Sequence, residues 1–566
     1  MTDPGYIVSR CLSLKNNWTT RDKKFRDWYD ILLLEDELEQ EGMESVVSND
    51  PRTGYNLAKH LLTTMIIADK IPSEELSQQQ VAATSYLEKF ISKRWSEQEK
   101  RYRSSGRQSW LGELISWMLC TGWFSVFAMV TPNEIWSEVW SPADCFPDFG
   151  PDGLVEHAHI YTMSVGAARR KLKMMGWTYP GQMYDAITFY DHWGFDEDGD
   201  IANSVVCGNA VTNHFVKAPV KDMLLTKLGR LPVFTSPVGG LPDHGNIKQS
   251  GLSSTNTWQK HYGESIIATN EDLQQNYNKM RSFYQQAARY GAQHHWIETS
   301  AGDTPIASEA MMDRWGSVLH GAPGEDVRPL QPAAMPVELT QILFMYQNEL
   351  QRGLFPSVLF GNVQQQMSYL AMANAASASM QVLTPFKDAL QGIRSDIDNF
   401  WTDMMLENGL NPYKFKEPEN LPDRDERLFN VDASIEIPGY MVQRATVSRM
   451  LNPNFRLPES WILERMFPEI KNMYRAVADV RKEDAMMHPK AILVDSILAY
   501  REQARLAREA RDIKTAELYE KLATSLESEL SPQPTQPSPQ AKVPPTPAEV
   551  MPKELTSPLT GLGEIA

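Results

Sequence analysis

Only four of the 566 residues are cysteine (Cys11, Cys120, Cys145 and Cys207), and their spacing forms no CxxC pair. Neither a zinc site nor a disulfide framework follows, and a reducing compartment is the plain reading. The N-terminus, MTDPGYIVSR, has no charged stretch leading into an apolar core, so no signal peptide is expected. The motifs GxxxxGK[ST], GxGxxG, GxSxG and HExxH are all missing. The usual signatures of ATP hydrolysis, dinucleotide binding, serine hydrolysis and zincin chemistry are thereby removed. Positive charge is also short, with 55 Lys and Arg against 72 Asp and Glu and a formal net charge of −17. Proteins that grip nucleic acid by neutralising phosphates draw on clustered cations, so this balance argues against such a grip. Long apolar runs are scarce. The uncharged stretch Leu114 to Val130 matches the shortest spanning helices, roughly 17 residues, but Thr121-Gly122 interrupts it. A buried helix ending near Gly122, followed by a buried strand WFSVFAMV, fits better than a membrane span.

What is present is an ordinary globular composition, 42% hydrophobic and 22% charged, in a chain too long for one compact core. The first quarter has helical periodicity in WTTRDKKFRDWYDILLL, TGYNLAKHLLTTMIIADKI and QQQVAATSYLEKFISKRW. From Trp123 to about Val238 the pattern turns to short strands, including EHAHIYT, AITFYDHWGF, NSVVCG and HFVKAPV, divided by Gly, Asp, Asn and Pro. The fold class is therefore α+β, mainly helical. A helix is expected over Glu264 to Tyr290, with Ile266, Leu273, Tyr277, Met280, Tyr284 and Ala287 on one stripe and Gly291 ending it. A small island from His294 to Ala334 follows, read as a strand HWIETS, a helix IASEAMMDRWGS, a second strand SVLHG and an irregular APGEDVRPLQP. It has too few apolar residues for a core of its own, so it should lean on neighbouring subunits.

A returning helix is expected from Pro336, with Leu339, Ile342, Leu343, Tyr346 and Leu350 inward and Gly353 after it. Then comes a polar stretch with three consecutive glutamines, and a long helix from about Tyr369 to Leu406, kinked at Pro385. A further helical pattern spans Lys490 to Leu530. Nine prolines between Ser531 and Pro558 make the tail a disordered segment by composition.

Three constellations carry chemistry on paper. DEDGD, Asp196 to Asp200, puts Ile201 and Cys207 where a calcium loop needs Gly and Glu, so a solvated hairpin turn is preferred. His157 and His159, two apart on a strand, face one way, but no third metal ligand is apparent. The run Lys93 to Trp110 interleaves Lys and Arg with Trp95, Tyr102 and Trp110, as nucleic-acid contacts do. Its simpler reading is a charged helix face paired with Glu97 and Glu99, or a basic subunit contact against an acidic neighbour. The acidic residues show no pairing that would mark a carboxylate metal site, so no catalytic, cofactor or metal residue is assigned.

In its order of elements the chain resembles the portal proteins of tailed bacteriophages, the head-to-tail connectors. The phrases that carry this are VVSNDPRTGYNLAKHLL, WSEVWSPADCFPDF, GESIIATNEDLQQNYNKMRSFYQQAARYG and the helix-loop-helix at Gly353. The resemblance covers about residues 15 to 530. It departs from many relatives in its Pro-rich tail and in reading GLFPS where a Gly-Pro-Pro phrase is common.

The resemblance implies a ring, usually of twelve subunits, around a central channel for double-stranded DNA. It implies a wing over 1–263, stem helices over 264–290 and 336–352, and a clip over 291–335. It further implies a tunnel loop over 353–368, a long helix returning to the wing over 369–484, and crown helices over 485–530 ahead of the tail at 531–566. By resemblance, Asn362, Gln364, Gln365, Gln366 and Ser368 face DNA, where amides can exchange hydrogen bonds with phosphates without holding them. Glu309, Asp313, Arg314, Trp315, Glu325, Asp326 and Arg328 would dock the motor or the adaptors. The implied partners are the large terminase subunit, head-completion or tail adaptors, and the major capsid and scaffolding proteins. The implied location is the capsid portal vertex of a virion, reached from host cytoplasm, with no membrane, enzyme activity or cofactor. The rival readings are another virion adaptor or minor capsid protein, and a metal-dependent nucleic-acid enzyme.

Overall fold

The computed structural model describes residues 3–35, 45–72, 76–179, 181, 186–208, 212–242, 261–292, 296–300, 302, 322–329, 337–353, 380–435, 448, 480–482, 484–509 and 512–530. These fall into two compact units, 1–472 and 473–566. In the first unit the chain opens with helices α1 (Pro4–Asn17), α2 (Thr19–Leu33) and α3 (Asp50–Thr63). Strand β1 (Ile66–Lys70) follows, then α4 (Gln78–Ser104) and α5 (Trp110–Thr121). Helix α4 begins with a capping box, in which Ser77 and Gln80 satisfy each other's backbone donors. Helix α5 is the most apolar and sits at the centre, with Trp110, Leu114, Ile115, Met118 and Leu119 buried. Gly122 closes it in the left-handed conformation (φ 62°), a backbone state that favours glycine. The chain then enters β2 (Trp123–Val130) directly. The interrupted apolar stretch at 114–130 is thus a helix and a strand, and no described helix is long and apolar enough to cross a membrane.

Strand β2 is the middle of a three-stranded antiparallel sheet, flanked by β3 (Ile135–Trp140) and β9 (Val233–Pro237). A five-stranded antiparallel meander follows from β4 (Cys145–Gly150), β5 (Gly153–Ser164), β6 (Ala186–Phe195), β7 (Ile201–Gly208) and β8 (Asn213–Lys221). Helix α1 covers one face of it: Ile7, Val8, Cys11 and Leu14 point inward, Arg10 forks onto Glu156, and Trp18 Nε1 donates to Pro147 O at 2.8 Å. The strands EHAHIYT, AITFYDHWGF, NSVVCG and HFVKAPV lie where alternation placed them. Two short helices, α6 (Val165–Met175) between β5 and β6 and α7 (Met223–Leu228) after β8, were not anticipated.

Several expectations are corrected. The segment after Thr63 does not continue as a helix, because IIADK within MIIADKI forms β1, antiparallel to β12 (Asn430–Ser434). That pairing gives a β-branched run a ladder which its own neighbourhood lacks. The helix expected from Glu264 starts at Glu271 as α8 (Glu271–Ala292), after a 3-10 turn at Ala268–Asn270, and Gly291 lies inside it. Ile266 is buried ahead of that helix.

In the island, β10 (Trp296–Thr299) matches HWIETS, but its partner is β11 (Asp326–Pro329), within the stretch read as irregular. IASEAMMDRWGS and SVLHG lie outside the described residues, as do residues 369–379. Helix α9 (Val337–Gly353) returns as expected. Pro385 kinks nothing: it stands in the first turn of α10 (Thr384–Glu407), where its missing N–H has no helical partner to lose.

In the second unit the pattern over 490–530 is not one helix but two, α11 (Pro489–Glu509) and α12 (Ile513–Leu530). They pack as a hairpin through Ile497, Ala504, Ala516 and Ala523, with Tyr500 stacked on Tyr519.

Candidate functional surfaces

The α8–α9 pair is held to the body by backbone. Val238 N donates to Gly122 O (2.7 Å), Glu264 N to Val238 O (3.1 Å), and Ile266 N to Leu119 O (3.0 Å). Three glycines make this crossing possible. A Cβ on Gly263 would run into the carbonyl of Gly122, one on Gly122 into the backbone of Glu264, and one on Gly240 into the carbonyl of Tyr262. At the first residue of α8, the Glu271 carboxylate accepts from Lys24 Nζ (2.9 Å) and Trp28 Nε1 (2.8 Å), fastening the helix start to α2. An acidic group there also suits the positive end of the helix dipole.

Residues 45–48 run alongside: Val46 N donates to Ser282 Oγ and Ser48 N to Asn278 Oδ1, both at 2.9 Å. The last turn of α9 is capped from the turn before α8. Asn270 Nδ2 donates to Leu350 O (3.0 Å) and Thr269 Oγ1 to Gly353 O (3.1 Å). These bonds satisfy carbonyls that a helix end leaves open, and they set the two helices antiparallel. Nothing in the local sequence marks Asn270 or Gly353, because their partners lie across the helix pair.

Away from that base the pair is poorly covered. Phe344 is 63% exposed and Met345 61%, and Phe283, Tyr284 and Ile342 are also exposed. A cavity of about 310 Å³ opens between the helices, lined by Tyr277, Arg281, Tyr284, Leu343 and Phe344 with Val46 at its edge. Beyond α8, the β10–β11 hairpin sets Thr299 opposite Asp326, Glu298 opposite Val327 and Ile297 opposite Arg328. Asp326 and Arg328 are exposed and two apart, so they share one face. Glu325 caps the preceding turn through Ala322 N (2.7 Å). Of the other residues expected to dock partners, Glu309, Asp313, Arg314 and Trp315 lie outside the described residues. So do Asn362, Gln364, Gln365, Gln366 and Ser368 of the glutamine loop.

The weighed constellations resolve structurally. In the run 93–110 the aromatics belong to the core: Trp95 and Trp110 are buried, and Tyr102 accepts from Val139 N (2.8 Å). Of its six cations, Arg94 pairs with Glu97 at 2.7 Å, Arg107 with Glu113 at 2.6 Å and Arg101 more loosely with Glu134 at 3.8 Å. His157 and His159 are buried under Trp140, whose ring stacks on His159 at 4.0 Å. Burial holds His157 down at about 3 and His159 well below the ordinary histidine range, so both rings are neutral. Neither belongs to any three-ligand group among the described residues.

Asp196, Asp198 and Asp200 do cluster, but Lys221 Nζ stands among them at 2.7 to 2.8 Å and fills the place of a cation. Asp196 Oδ1 accepts from the backbone N–H groups of Asp198 and Asp200, which makes the stretch a tight hairpin turn. The four cysteines are free and buried.

No family model matches the sequence, and no curated protein matches it. Among solved structures the chain is similar to a component of the neck of a native GTA particle computed with C12 symmetry: 11% identity, 74% of this chain, 89% of the other, TM-score 0.39. It is likewise similar to a component of the neck of an empty GTA particle computed with C6 symmetry, at 12% identity, 77% and 93% coverage and a TM-score of 0.41. A third likeness is to a chain of the virion of a native gene transfer agent particle, at 11% identity, 74% and 89% coverage and a TM-score of 0.40. Overlaps at this level assign neither fold nor role.

Proposed function

We propose that this chain is a portal protein, a non-enzymatic subunit that assembles into a ring at one vertex of a phage-like capsid and passes double-stranded DNA. The observation that carries this reading is the α8–α9 pair. Two antiparallel helices of 22 and 17 residues are pinned at their base, joined through a β-hairpin, and left with Phe344, Met345 and Phe283 exposed. Large apolar side chains exposed together mark a surface meant to be covered, and copies of the same pair side by side would cover it as the wall of a ring. In this reading α8 and α9 are the stem, and the β10–β11 hairpin with the rest of 291–335 is the clip. Asp326 and Arg328 are then placed to meet the terminase motor and later the tail adaptors.

The glutamine loop at 353–368 leaves from the capped end of α9, where Asn362, Gln364, Gln365, Gln366 and Ser368 touch passing DNA. The net charge of −17 suits this role, because a ring of such chains is a polyanion that does not capture another. The wing is 1–263 with 369–484, the crown is 485–530, and scaffolding and capsid proteins surround them.

The test is the native mass of the purified chain, with particle images counting rotational symmetry. A closed ring near twelvefold is expected. Phe344→Asp should then leave folded monomers, since an ionised carboxylate has no place in an apolar contact. A wild-type chain that stays monomeric at every concentration, with scaffold present as well as without it, overturns the reading.

A further inference from the structure

The five-stranded sheet has two unlike ends. Strand β5 leads straight into α6, while the β6–β7 turn lies at the other end of β6. Ten residues of β6, at about 3.3 Å each, separate the two ends by roughly 30 Å. Helix α6 contains Arg169, Arg170, Lys171 and Lys173 and no acid. Lys171 is engaged, donating to Tyr161 Oη at 2.6 Å over the Tyr161 ring. Arg169, Arg170 and Lys173 are exposed, and no described carboxylate pairs with them. The helix ends on Met174 and Met175, 73% and 54% exposed.

At the opposite end stand Asp196, Glu197, Asp198 and Asp200, with Lys221 as their one cation, beside exposed Phe195, Val220 and Met223. One end is therefore basic with an apolar rim. The other is acidic with an apolar rim. In a chain with an overall excess of acid, a helix with four cations and no acid is the exception.

We infer that α6 of one copy docks on the β6–β7 tip of the next, a head-to-tail contact between second copies of this chain. The three α6 cations without an ion-pair partner among the described residues match the tip, whose four carboxylates less Lys221 leave a net charge of −3. Met174 and Met175 meet Phe195, Val220 and Met223. Head-to-tail contacts between identical chains close into rings when the rotation permits, and complementary charge sets register and encounter rate. A two-fold dimer would also set each basic end on its partner's acidic tip but would stop at two copies, so particle mass separates the two arrangements. The inference rests on the ring proposed above and names a contact outside the α8–α9 wall.

The experiment uses the full chain in two charge-reversed forms, Arg169→Glu/Arg170→Glu/Lys173→Glu and Glu197→Lys/Asp198→Lys. Mass is read by native mass spectrometry and sedimentation, and folding is checked by thermal melting. Each form alone should remain largely monomeric under conditions where the wild-type chain forms rings. An equal mixture should recover assembly, with the two forms alternating, because each reversed end then finds its complement on the other form.

Rings from the α6 form alone, or a mixture that stays monomeric although both forms melt like wild type, would overturn the inference and leave the ring reading standing. Loss of binding to a short DNA duplex by the α6 form, with its assembly unchanged, would give the surface to nucleic acid and overturn it too. A wild-type chain that never forms rings would sink the ring reading itself.

Discussion

The sheet region and the α8–α9 pair use aromatic side chains in opposite ways. Between the sheets, Trp140 stacks on Phe127 at 5.0 Å and on His159 at 4.0 Å, and His159 continues to Tyr161 at 4.4 Å; Trp140 and His159 are buried and the two outer rings half-buried. On α9, Phe344 stands mostly in solvent. The first region carries its stability within one chain, through buried area and stacking. The second is fixed at its base and unfinished along its length. A segment's place in the molecule can thus be set by a single chain while its cover is not.

The sharpest way to break the comparison is at the base. Gly263→Ala puts a methyl group into the carbonyl of Gly122 and within 3.1 Å of Val238 N, all of it backbone that also bonds across the crossing. No flexible side chain is there to yield, so the strands must part. A loss of about 3 kcal/mol or more in unfolding free energy, read from urea denaturation, is expected, at the upper end of overpacking costs. A variant as stable as wild type would mean that the crossing is not what fastens the pair.

A second effect separates the regions by pH. His157 and His159 are buried neutral in the sheet region, His157 at about 3, against an unfolded value near 6.5. Because the folded values are depressed, the unfolded chain binds the extra protons. Stability is then fully present above about pH 6.5 and is lost as pH falls from there toward 3. Each ring contributes at most about 1.4 kcal/mol per pH unit over that window.

Glu88 on α4 opposes this. Burial raises it to about 7 while it accepts from Ile71 N at 2.7 Å, so its contribution is full at low pH and fades as pH rises from about 4.5 to 7. Urea midpoints measured from pH 7 to 5 should fall, and fall more steeply in Glu88→Gln. A midpoint that rises on acidification in that variant would contradict neutral burial of the histidines.

How much of this was legible follows from where each residue finds its partner. Strands β5 to β8 pair with neighbours in sequence, so alternation and turn residues sufficed to place them. Helix α5, Gly122 and β2 were legible because an apolar run broken by glycine leaves few alternatives. Strand β1 was misread, since MIIADKI gains its ladder only from β12, far along the chain. Pro385 was misplaced because the start of α10 depends on packing of Phe386, Leu390 and Ile393 against the body and leaves no mark in periodicity. The partner of β10 was not legible in APGEDVRPLQP, which reads as irregular, yet Asp326–Pro329 within it pairs with Trp296–Thr299. The charge contrast across the sheet was hidden for a different reason. Arg169 and Glu197 are close in sequence, and only the meander sends them to opposite ends.

The smallest expected effect lies at the cap of α9, and its sign in combination is more telling than its size. Asn270→Ala removes the donor to Leu350 O and leaves a buried carbonyl open, a cost of about 1 to 2 kcal/mol. Gly353→Ala costs a similar amount by another route, since its Cβ would overlap Asn270 Oδ1, and swinging that amide aside breaks the same bond. Both changes therefore act through one contact and should not add. Once Asn270 is alanine, Gly353→Ala has nothing left to strike, and the double variant should be about as stable as Asn270→Ala alone, a coupling that a double-mutant cycle reads directly. Hydrogen exchange at the last turn of α9 should show the loss locally, with α5 unchanged. Strict additivity would mean that the amide does not hold the point from which the chain leaves toward the glutamine loop.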